Sequence, residues 1–457
     1  MTTIIPCKAF AGAVIACAAC LEKDTMHHHP GRMRITRSAD ALVLATATRT
    51  EKVKLTFRIP CEPGEAWVAV VDADGTSRLA KAMRPLASGK KNSNATIEIE
   101  RTERSLVLVG GGQRMSVPAC EPMLEETTPT TGETFSVAGA ADLPDRIAQA
   151  MVFANPGEYR SIARGPFAYF SETDGELTVP AVVATDGHRL FVDGDAGDCR
   201  DAKIVFQVPG DDWKPATKAL ATDFDTVRLV RTSIPQPADE NGKKPPEKWL
   251  TRLVFEAADR RVELAVVEPE ISLPHWASFV PRETNDPDFS ITCDREELAA
   301  AVKAVSSVSH EKNAACMLRA DPAAGILRIL AQTDNDGGMA QREIPAEVGH
   351  SPTKYVHLNG RYMLDCLAAV RTDRVRLFQH SAPLDSVRVI EVAPEGTRLR
   401  MRGMVIMPIR GIDPVEEATA TGADAERAAV EDPDDATVEA ASSASSPPPE
   451  PLAAQPA

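Results

Sequence analysis

The stretch Val182–Val192 has the sequence VVATDGHRLFV, two short apolar segments joined by polar residues. Asp186 and Gly187 are typical of a hairpin turn, because glycine takes a positive φ without steric cost and an aspartate side chain bonds the turn backbone. The flanking valines suit a half-buried sheet. The stretch therefore predicts a β-hairpin. His188 and Arg189, taken alone, are ordinary polar residues beside a turn.

Working outward from this hairpin, the chain repeats one pattern three times. Each copy opens with an amphipathic helix, predicted at residues 7–21, 143–153 and 295–308. Its second half holds a strand, a helix and a strand, with the helix around Trp213 in the second copy and Tyr362 in the third. Two helices and several strands per copy predict an α+β fold with both helices on one face of an antiparallel sheet.

Capping signals mark two of the opening helices. Asp142 is a predicted N-cap with Pro144 in the first turn, and Asp294 with Glu297 fits a capping box. These signals fix where the second and third copies begin.

Turn-rich gaps divide the chain into domains. They predict a divergent first domain at 1–130, a second at 135–281 and a third at 286–411. Residues 412–457 are rich in Ala, Ser, Pro and acids without an aromatic residue, which predicts a disordered tail.

Composition describes a soluble protein with an uneven charge. The formal net charge is −15, but residues 412–457 hold eleven acidic residues and one basic residue. The body therefore carries only a small negative charge, which is compatible with a basic inner surface and an acidic outer one. No apolar run is long enough to span a membrane and no signal-peptide pattern is present, so we expect a cytoplasmic protein.

The nine cysteines do not form a disulfide pattern, which suits a reducing compartment. Cys17 and Cys20, followed by His27–His29, raise the possibility of a metal-dependent enzyme. Cys17 also falls on the apolar stripe of the opening helix with Phe10, and structural zinc usually has four well-placed ligands. We favour the buried-helix interpretation and expect no metal.

Catalytic motifs are absent from the sequence. Gly110–Gly112 lacks the Lys-Ser/Thr of a phosphate loop and precedes a strand pattern, so it predicts a hairpin turn. There is no nucleophile elbow and no HExxH pair. We expect a non-enzymatic protein without a cofactor.

Three segments, in order, are similar to a known family. Ala184–Leu190 (ATDGHRL) resembles the signature of the bacterial DNA polymerase III beta subunit, the sliding clamp. Val405–Arg410 (VIMPIR) resembles the ending of that family, and Leu273–Trp276 with Val280–Pro281 resembles its connector. The resemblance covers roughly residues 1–411. It implies three DNA-clamp domains forming half of a closed ring, which a head-to-tail homodimer completes around duplex DNA.

The resemblance also implies a pocket between the second and third domains that takes short peptides from the replicative polymerase and the clamp loader. Carried over by position, its wall comprises Ala163, Thr185, Gly187, His188, Arg189, Leu190, Pro274, Phe279, Asn359, Tyr362, Val405, Met407, Pro408, Ile409 and Arg410. Plain core packing is the alternative for the last strand. Ala163 replaces a larger aliphatic residue of the family, and Ser161 and Ile162 stand where relatives often have tyrosines near DNA.

Basic residues on the helices of the three copies are candidates to meet DNA phosphates without reading sequence. The candidates are Lys8, Lys23, Lys81, Arg84, Arg146, Arg160, Lys214, Lys218 and Lys303. Each alone is better explained as a solvated surface charge than as a phosphate contact. The interpretation as a whole is a DNA sliding clamp that tethers the polymerase to its template. The alternative is a clamp-fold scaffold that binds partner peptides without loading on DNA.

Overall fold

A computed structural model gives the fold. It describes residues 2–21, 31–48, 50–88, 95–110, 112–119, 132–155, 157–158, 160–194, 202, 204–221, 223–234, 248–269, 287, 289–309, 314–332, 339–350, 356–379, 387–392 and 402–407. Residues Met1–Ile409 form one compact unit. Arg410–Ala457 forms a second unit, which lies outside the described residues.

In its described residues, the first repeat has eight strands and two helices. In chain order they are β1 (Thr2–Pro6), α1 (Cys7–Cys20), β2 (Arg32–Arg37), β3 (Ala41–Ala47), β4 (Val53–Pro60), β5 (Trp67–Asp72), α2 (Ala73–Ser88), β6 (Thr96–Arg101), β7 (Ser105–Gly110) and β8 (Gln113–Pro118).

The second repeat has the same order of strands and helices, and a 3-10 turn lies at Ser161–Ala163. Its elements are β9 (Gly132–Ala138), α3 (Leu143–Met151), β10 (Phe167–Thr173), β11 (Glu176–Thr185), β12 (Arg189–Gly194), β13 (Ile204–Gln207), α4 (Gly210–Leu220), β14 (Thr226–Ile234), β15 (Lys248–Ala257) and β16 (Arg260–Val266).

The third repeat follows the same order with one extra short strand, β21. Its elements are β17 (Phe289–Asp294), α5 (Arg295–Ser306), β18 (Ala315–Asp321), β19 (Ile326–Gln332), β20 (Met339–Pro345), β21 (Glu347–His350), β22 (Val356–Asn359), α6 (Gly360–Ala369), β23 (Arg374–Gln379), β24 (Val387–Glu391) and β25 (Arg402–Ile406).

Strand pairing is also repeated three times. In each repeat the first strand and the last three form one antiparallel set, with orders β1-β6-β7-β8, β9-β14-β15-β16 and β17-β23-β24-β25. The other four form a second antiparallel set, with orders β5-β2-β3-β4, β13-β10-β11-β12 and β22-β18-β19-β20. The predicted α+β repeat is therefore confirmed. The domain boundaries themselves remain predictions.

Two strand pairs join the repeats edge to edge. β4 of the first repeat pairs antiparallel with β16 of the second, from Val53 opposite Leu264 to Phe57 opposite Arg260. β12 of the second repeat pairs antiparallel with β25 of the third. Backbone hydrogen bonds across both junctions make the sheet continuous through all three repeats.

The helices bury one stripe each against the sheets. Phe10, Val14 and Cys17 on α1, and Leu21 just after it, are at most 6% exposed, as the periodicity predicts. The N-cap predicted at Asp294 is confirmed, because its carboxylate accepts a hydrogen bond from the Glu297 N–H at 2.9 Å. The N-cap predicted at Asp142 is wrong. Its side chain makes no capping bond, and its backbone is already helical at φ −87° and ψ 0°.

The Cys17 and Cys20 thiols are buried in this core, and burial raises the pKa of Cys17. Within the described ranges, no three His, Cys, Asp or Glu side chains gather closely enough to hold a metal ion. His27–His29 lie outside those ranges. No helix there is both long and apolar enough to cross a membrane.

Candidate binding site between the second and third repeats

The central hairpin is held in shape by its own side chains. Asp186 accepts hydrogen bonds from the backbone N–H groups of His188 and Arg189 at 2.9 and 3.0 Å. The Thr185 hydroxyl donates to the Arg189 carbonyl and accepts from the Gly187 N–H. Gly187 has φ +89°, and an arginine nitrogen of Arg160 lies 3.3 Å from where a Cβ would stand. The hairpin prediction is confirmed, and the glycine is required at the turn.

Arg189 ties this hairpin to helix α6 of the third repeat. Its guanidinium donates to Asp186 at 2.9 Å and forms an ion pair with Asp365. It also lies over the Tyr362 ring, with 4.4 Å between the guanidinium carbon and the ring centroid, and donates to the carbonyl of Val152. Burial alone would lower the pKa of Arg189, but the two carboxylates raise it. Arg189 thus acts as a brace between two repeats.

We expect the Arg189–Asp365 pair to contribute about 1 kcal/mol of coupling, since it joins a mostly buried cation to a partly exposed carboxylate. The measurement is a double-mutant cycle of Arg189→Met and Asp365→Asn by urea unfolding. Arg361→Met, exposed on the same helix, is the matched control and should not couple to Arg189→Met. A coupling energy indistinguishable from zero would show that the Arg189–Asp365 pair does not stabilise the contact between the two repeats.

An apolar cluster lies on the face of the second repeat's sheet that is turned away from the helices. Phe167, Tyr169, Ala181, Val183 and Val192 form it, and the half-buried Ile162 and Leu190 pack against its border. The backbone N–H of Met407, which is 39% exposed, bonds the His188 carbonyl at 2.9 Å. The hairpin, the end of β25 and this cluster therefore meet at one place.

The 3-10 turn that carries Ala163 is fixed beside this cluster. The Gln207 amide donates to the carbonyls of Ser161 and Gly165 at 2.7 and 3.1 Å. A Cβ on Gly165 would stand 1.9 Å from the Val208 carbonyl oxygen, so only glycine fits. Ala163 is 1% exposed.

Asn359 and Tyr362, at the start of α6, lie on the third-repeat side of the candidate site. The Asn359 side chain caps helix α6 by accepting from the N–H groups of Arg361 and Tyr362. The Tyr362 ring also stacks on His188, with centroids 6.3 Å apart, and burial raises its pKa. The structure thus brings together every described member of the predicted pocket. Pro274, Phe279, Pro408, Ile409 and Arg410 lie outside the described residues.

A buried ion triad underlies the junction of the same two repeats. Asp193 on β12 is fully buried between Arg402 on β25 and Arg146 on α3, which are at most 3% exposed. Arg402 also donates to the Ala369 carbonyl at the end of α6, and Arg146 donates to the Val179 and Asp193 carbonyls. The prediction that Arg146 faces DNA is therefore wrong. It lies at the edge of the buried stripe, three residues after Leu143.

The other predicted basic residues in the described ranges are exposed. They are Lys8 on α1, Lys81 and Arg84 on α2, Lys214 and Lys218 on α4, Lys303 on α5, and Arg160 beside the 3-10 turn. Arg78 on α2 and Arg361 on α6 are also exposed, although the sequence did not predict them as candidates. Helices α2, α1 and α4 pack side by side, and their exposed stripes face away from the sheets. Lys23 lies outside the described residues.

Comparison with known proteins agrees with this geometry. Residues 278–398 match the family model described as the DNA polymerase III beta subunit, C-terminal domain. Among solved structures, the chain is similar to the DNA polymerase III subunit beta of Pseudomonas aeruginosa, with 19% identity, TM-score 0.62, and coverage of 90% of this chain and 100% of that one. The sliding clamp of Bartonella birtlesii bound to griselimycin gives 17% and 0.64, and the beta subunit of Thermotoga maritima gives 14% and 0.63, both with the same coverage. A search of curated proteins by sequence finds no match.

These likenesses show that the chain has the sliding-clamp fold. Within that fold, residues 278–398 match the family of the DNA polymerase III beta subunit's C-terminal domain. The resemblance inferred from ATDGHRL and VIMPIR is confirmed.

Proposed function

We propose that the chain is a DNA sliding clamp, a non-catalytic ring that encircles duplex DNA and tethers the replicative polymerase. The observation that carries the proposal is the edge-to-edge joining of its three repeats. Within the described part of the chain, β8 of the first repeat and β20 of the third each pair on one side only. They occupy the same places in their repeats as the strands that form the two internal junctions. A second copy supplies the missing partner for each edge.

The register of this third junction follows from the repeat. The hairpins β3–β4, β11–β12 and β19–β20 occupy the same place in the three repeats. The residue pairs next to their turns are Ala47 with Lys54, Thr185 with Leu190, and Gln332 with Met339. The two-residue turns that start β16 and β8 are equivalent as well, since Ala257 pairs with Arg260 and Gly110 with Gln113. Superposing these anchors places Ala340 of one copy opposite Met115 of the other.

The side chains at the centre of this third junction are apolar, as they are at the two internal junctions. At the centre of each internal junction, two apolar residues face the helix side: Leu55 opposite Val262, and Phe191 opposite Met404. Met115 packs against the core on its inner face, and Ala340 pairs with the buried Ala331 on the same side. The third junction thus keeps an apolar central pair, which supports a head-to-tail homodimer.

The helix layer is the surface proposed to meet DNA. The exposed stripe of α2 carries Arg78, Lys81 and Arg84, and that of α4 carries Lys214 and Lys218. Between them α1 exposes Lys8 and small residues such as Gly12. Such contacts attract phosphates without fixing a sequence, and topology rather than affinity holds a ring in place.

Replacing Arg78, Lys81 and Lys214 with alanine should weaken DNA binding and lower the slope of log affinity against log salt by about three units. The matched control replaces Arg34, Arg58 and Arg104, three exposed arginines on strands and turns, and should leave the slope unchanged. Fluorescence anisotropy with a short duplex at several salt concentrations makes the measurement. Equal slopes for the two variants would remove the helix layer as the DNA surface.

We further propose that the site between the second and third repeats binds a short peptide of the polymerase or the clamp loader. Its apolar cluster, the exposed Met407 and the few polar groups of the hairpin suit such a ligand.

Primer extension tests the function as a whole. With the polymerase and clamp loader of the encoding organism, adding the chain should lengthen the products made in a single binding event. Products of unchanged length, together with intact peptide binding, would instead identify a scaffold that does not load.

A further inference from the structure

Arg388 of β24 lies in line with the proposed peptide site. Four residues face one another across neighbouring strands, because Leu190 pairs with Val405, Val405 with Arg388, and Arg388 with Phe378. Residues directly opposite one another share a face of the sheet. Leu190 belongs to the apolar cluster's border, so Arg388 shares the face on which the peptide is proposed to bind.

The Arg388 side chain is largely buried, and no described carboxylate pairs with it. The residue is 9% exposed, and its Nε has no hydrogen-bond partner. Its one contact of note in the described part of the chain is the Phe378 ring, whose centroid lies 5.8 Å from the guanidinium carbon. Two described carboxylates on these strands pair with other arginines. Glu391 of the same strand holds Arg371 at 2.7 Å, and Asp193 holds Arg402.

An unpaired buried cation is costly, and proteins ordinarily pair such groups. Arg189 illustrates the usual arrangement, since carboxylates raise its pKa. Burial instead lowers the pKa of Arg388, which is the direction expected when no carboxylate is near. Among the described residues, Arg388 is therefore a cation that an incoming anion would pair.

We propose that Arg388 determines specificity by receiving a carboxylate of the peptide that occupies the adjoining site, through charge-assisted hydrogen bonds. The proposal rests on the peptide-binding function proposed above and adds the chemistry of the preferred partner. A peptide with an acidic side chain or a free C-terminus next to its apolar anchors is favoured over a neutral one.

The test uses two fluorescent peptides that end in the same Leu-Phe pair, one with a free C-terminal carboxylate and one with a C-terminal amide. Their affinities are measured for the full chain, for Arg388→Met, and for both proteins without residues 412–457. We expect the unsubstituted chain to prefer the carboxylate about tenfold, as one charged hydrogen bond contributes about that much. Arg388→Met should bind both peptides equally, with and without the tail.

The outcomes separate this proposal from the function on which it rests. Equal binding of both peptides by the unsubstituted chain overturns the role of Arg388 and leaves the peptide site intact. A preference that appears only after the tail is deleted shows that the chain's own acids occupy Arg388, which also overturns the proposal. Binding of neither peptide to any protein counts against the peptide site itself, and the proposal then fails with it.

Thermal unfolding of the free protein gives an independent readout. Because Arg388 lacks an anion there, Arg388→Met should leave the melting temperature unchanged or raise it. Arg402→Met, which removes a paired buried cation, should lower it and serves as the contrast. A comparable drop for both variants would show that Arg388 already has a partner in the free protein, and would overturn the proposal.

Discussion

Replacing Asp193 with alanine should lower the free energy of unfolding by about 3–5 kcal/mol, the largest effect we expect from any single substitution in the chain. Asp193 is the only carboxylate in the buried triad, and its loss leaves Arg146 and Arg402 as two neighbouring cations without water. Urea unfolding followed by circular dichroism measures the change. Because the triad joins β12, β25 and α3, the substitution should destabilise the junction of the second and third repeats.

A compensated variant makes this prediction specific to charge. Replacing all three groups together, as Arg146→Met, Asp193→Val and Arg402→Met, should recover most of the stability lost in Asp193→Ala, since apolar residues of similar volume often replace a buried ion cluster without cost. Glu172→Ala, at an exposed position on β10 of the same repeat, is the single-carboxylate comparison and should cost less. If Asp193→Ala unfolds at the same urea concentration as the unsubstituted chain, the triad does not hold the junction.

Replacing Ala340 with glutamate should weaken self-association at least tenfold. In the register derived from the repeats, this side chain faces Met115 of the second copy, and a carboxylate placed there is desolvated without a partner. Ala340 is half-buried at a sheet edge of the free chain, so the fold should tolerate the change. Sedimentation velocity over a range of concentrations measures the monomer–dimer equilibrium.

Ala323→Glu is the matched control, because it adds the same charge to an exposed turn of the same repeat and should leave association unchanged. Met115→Glu should reproduce the effect of Ala340→Glu from the other side of the junction. Undiminished dimerisation of both edge variants would contradict the pairing of β8 with β20.

Local sequence patterns were sufficient to predict most of the secondary structure. The apolar stripe of α1, the Asp294 cap and the Asp186–Gly187 turn are each decided within a few residues, so periodicity and turn chemistry were sufficient. The resemblance of ATDGHRL and VIMPIR also led to the right fold, and these two segments do meet in space, where Met407 bonds His188.

Side-chain roles that depend on distant partners were not predictable. A basic residue on a helix is usually solvated, so the sequence predicts a surface position for Arg146. Its partners Val179 and Asp193 lie on β11 and β12, far from it in the sequence. Arg402 pairs with Asp193 across 209 positions of sequence. Arg388 gave no local signal at all, since its isolation from carboxylates appears only once β23, β24 and β25 are aligned.

Encirclement is tested most directly on circular DNA. The chain is loaded onto a nicked plasmid by the clamp loader, freed from unbound protein by gel filtration at high salt, and divided into two samples, one of which is cut once with a restriction enzyme. Held by topology, the protein should stay with the circle and leave the linear DNA. Equal retention on both forms, or loss from the intact circle, would contradict the account.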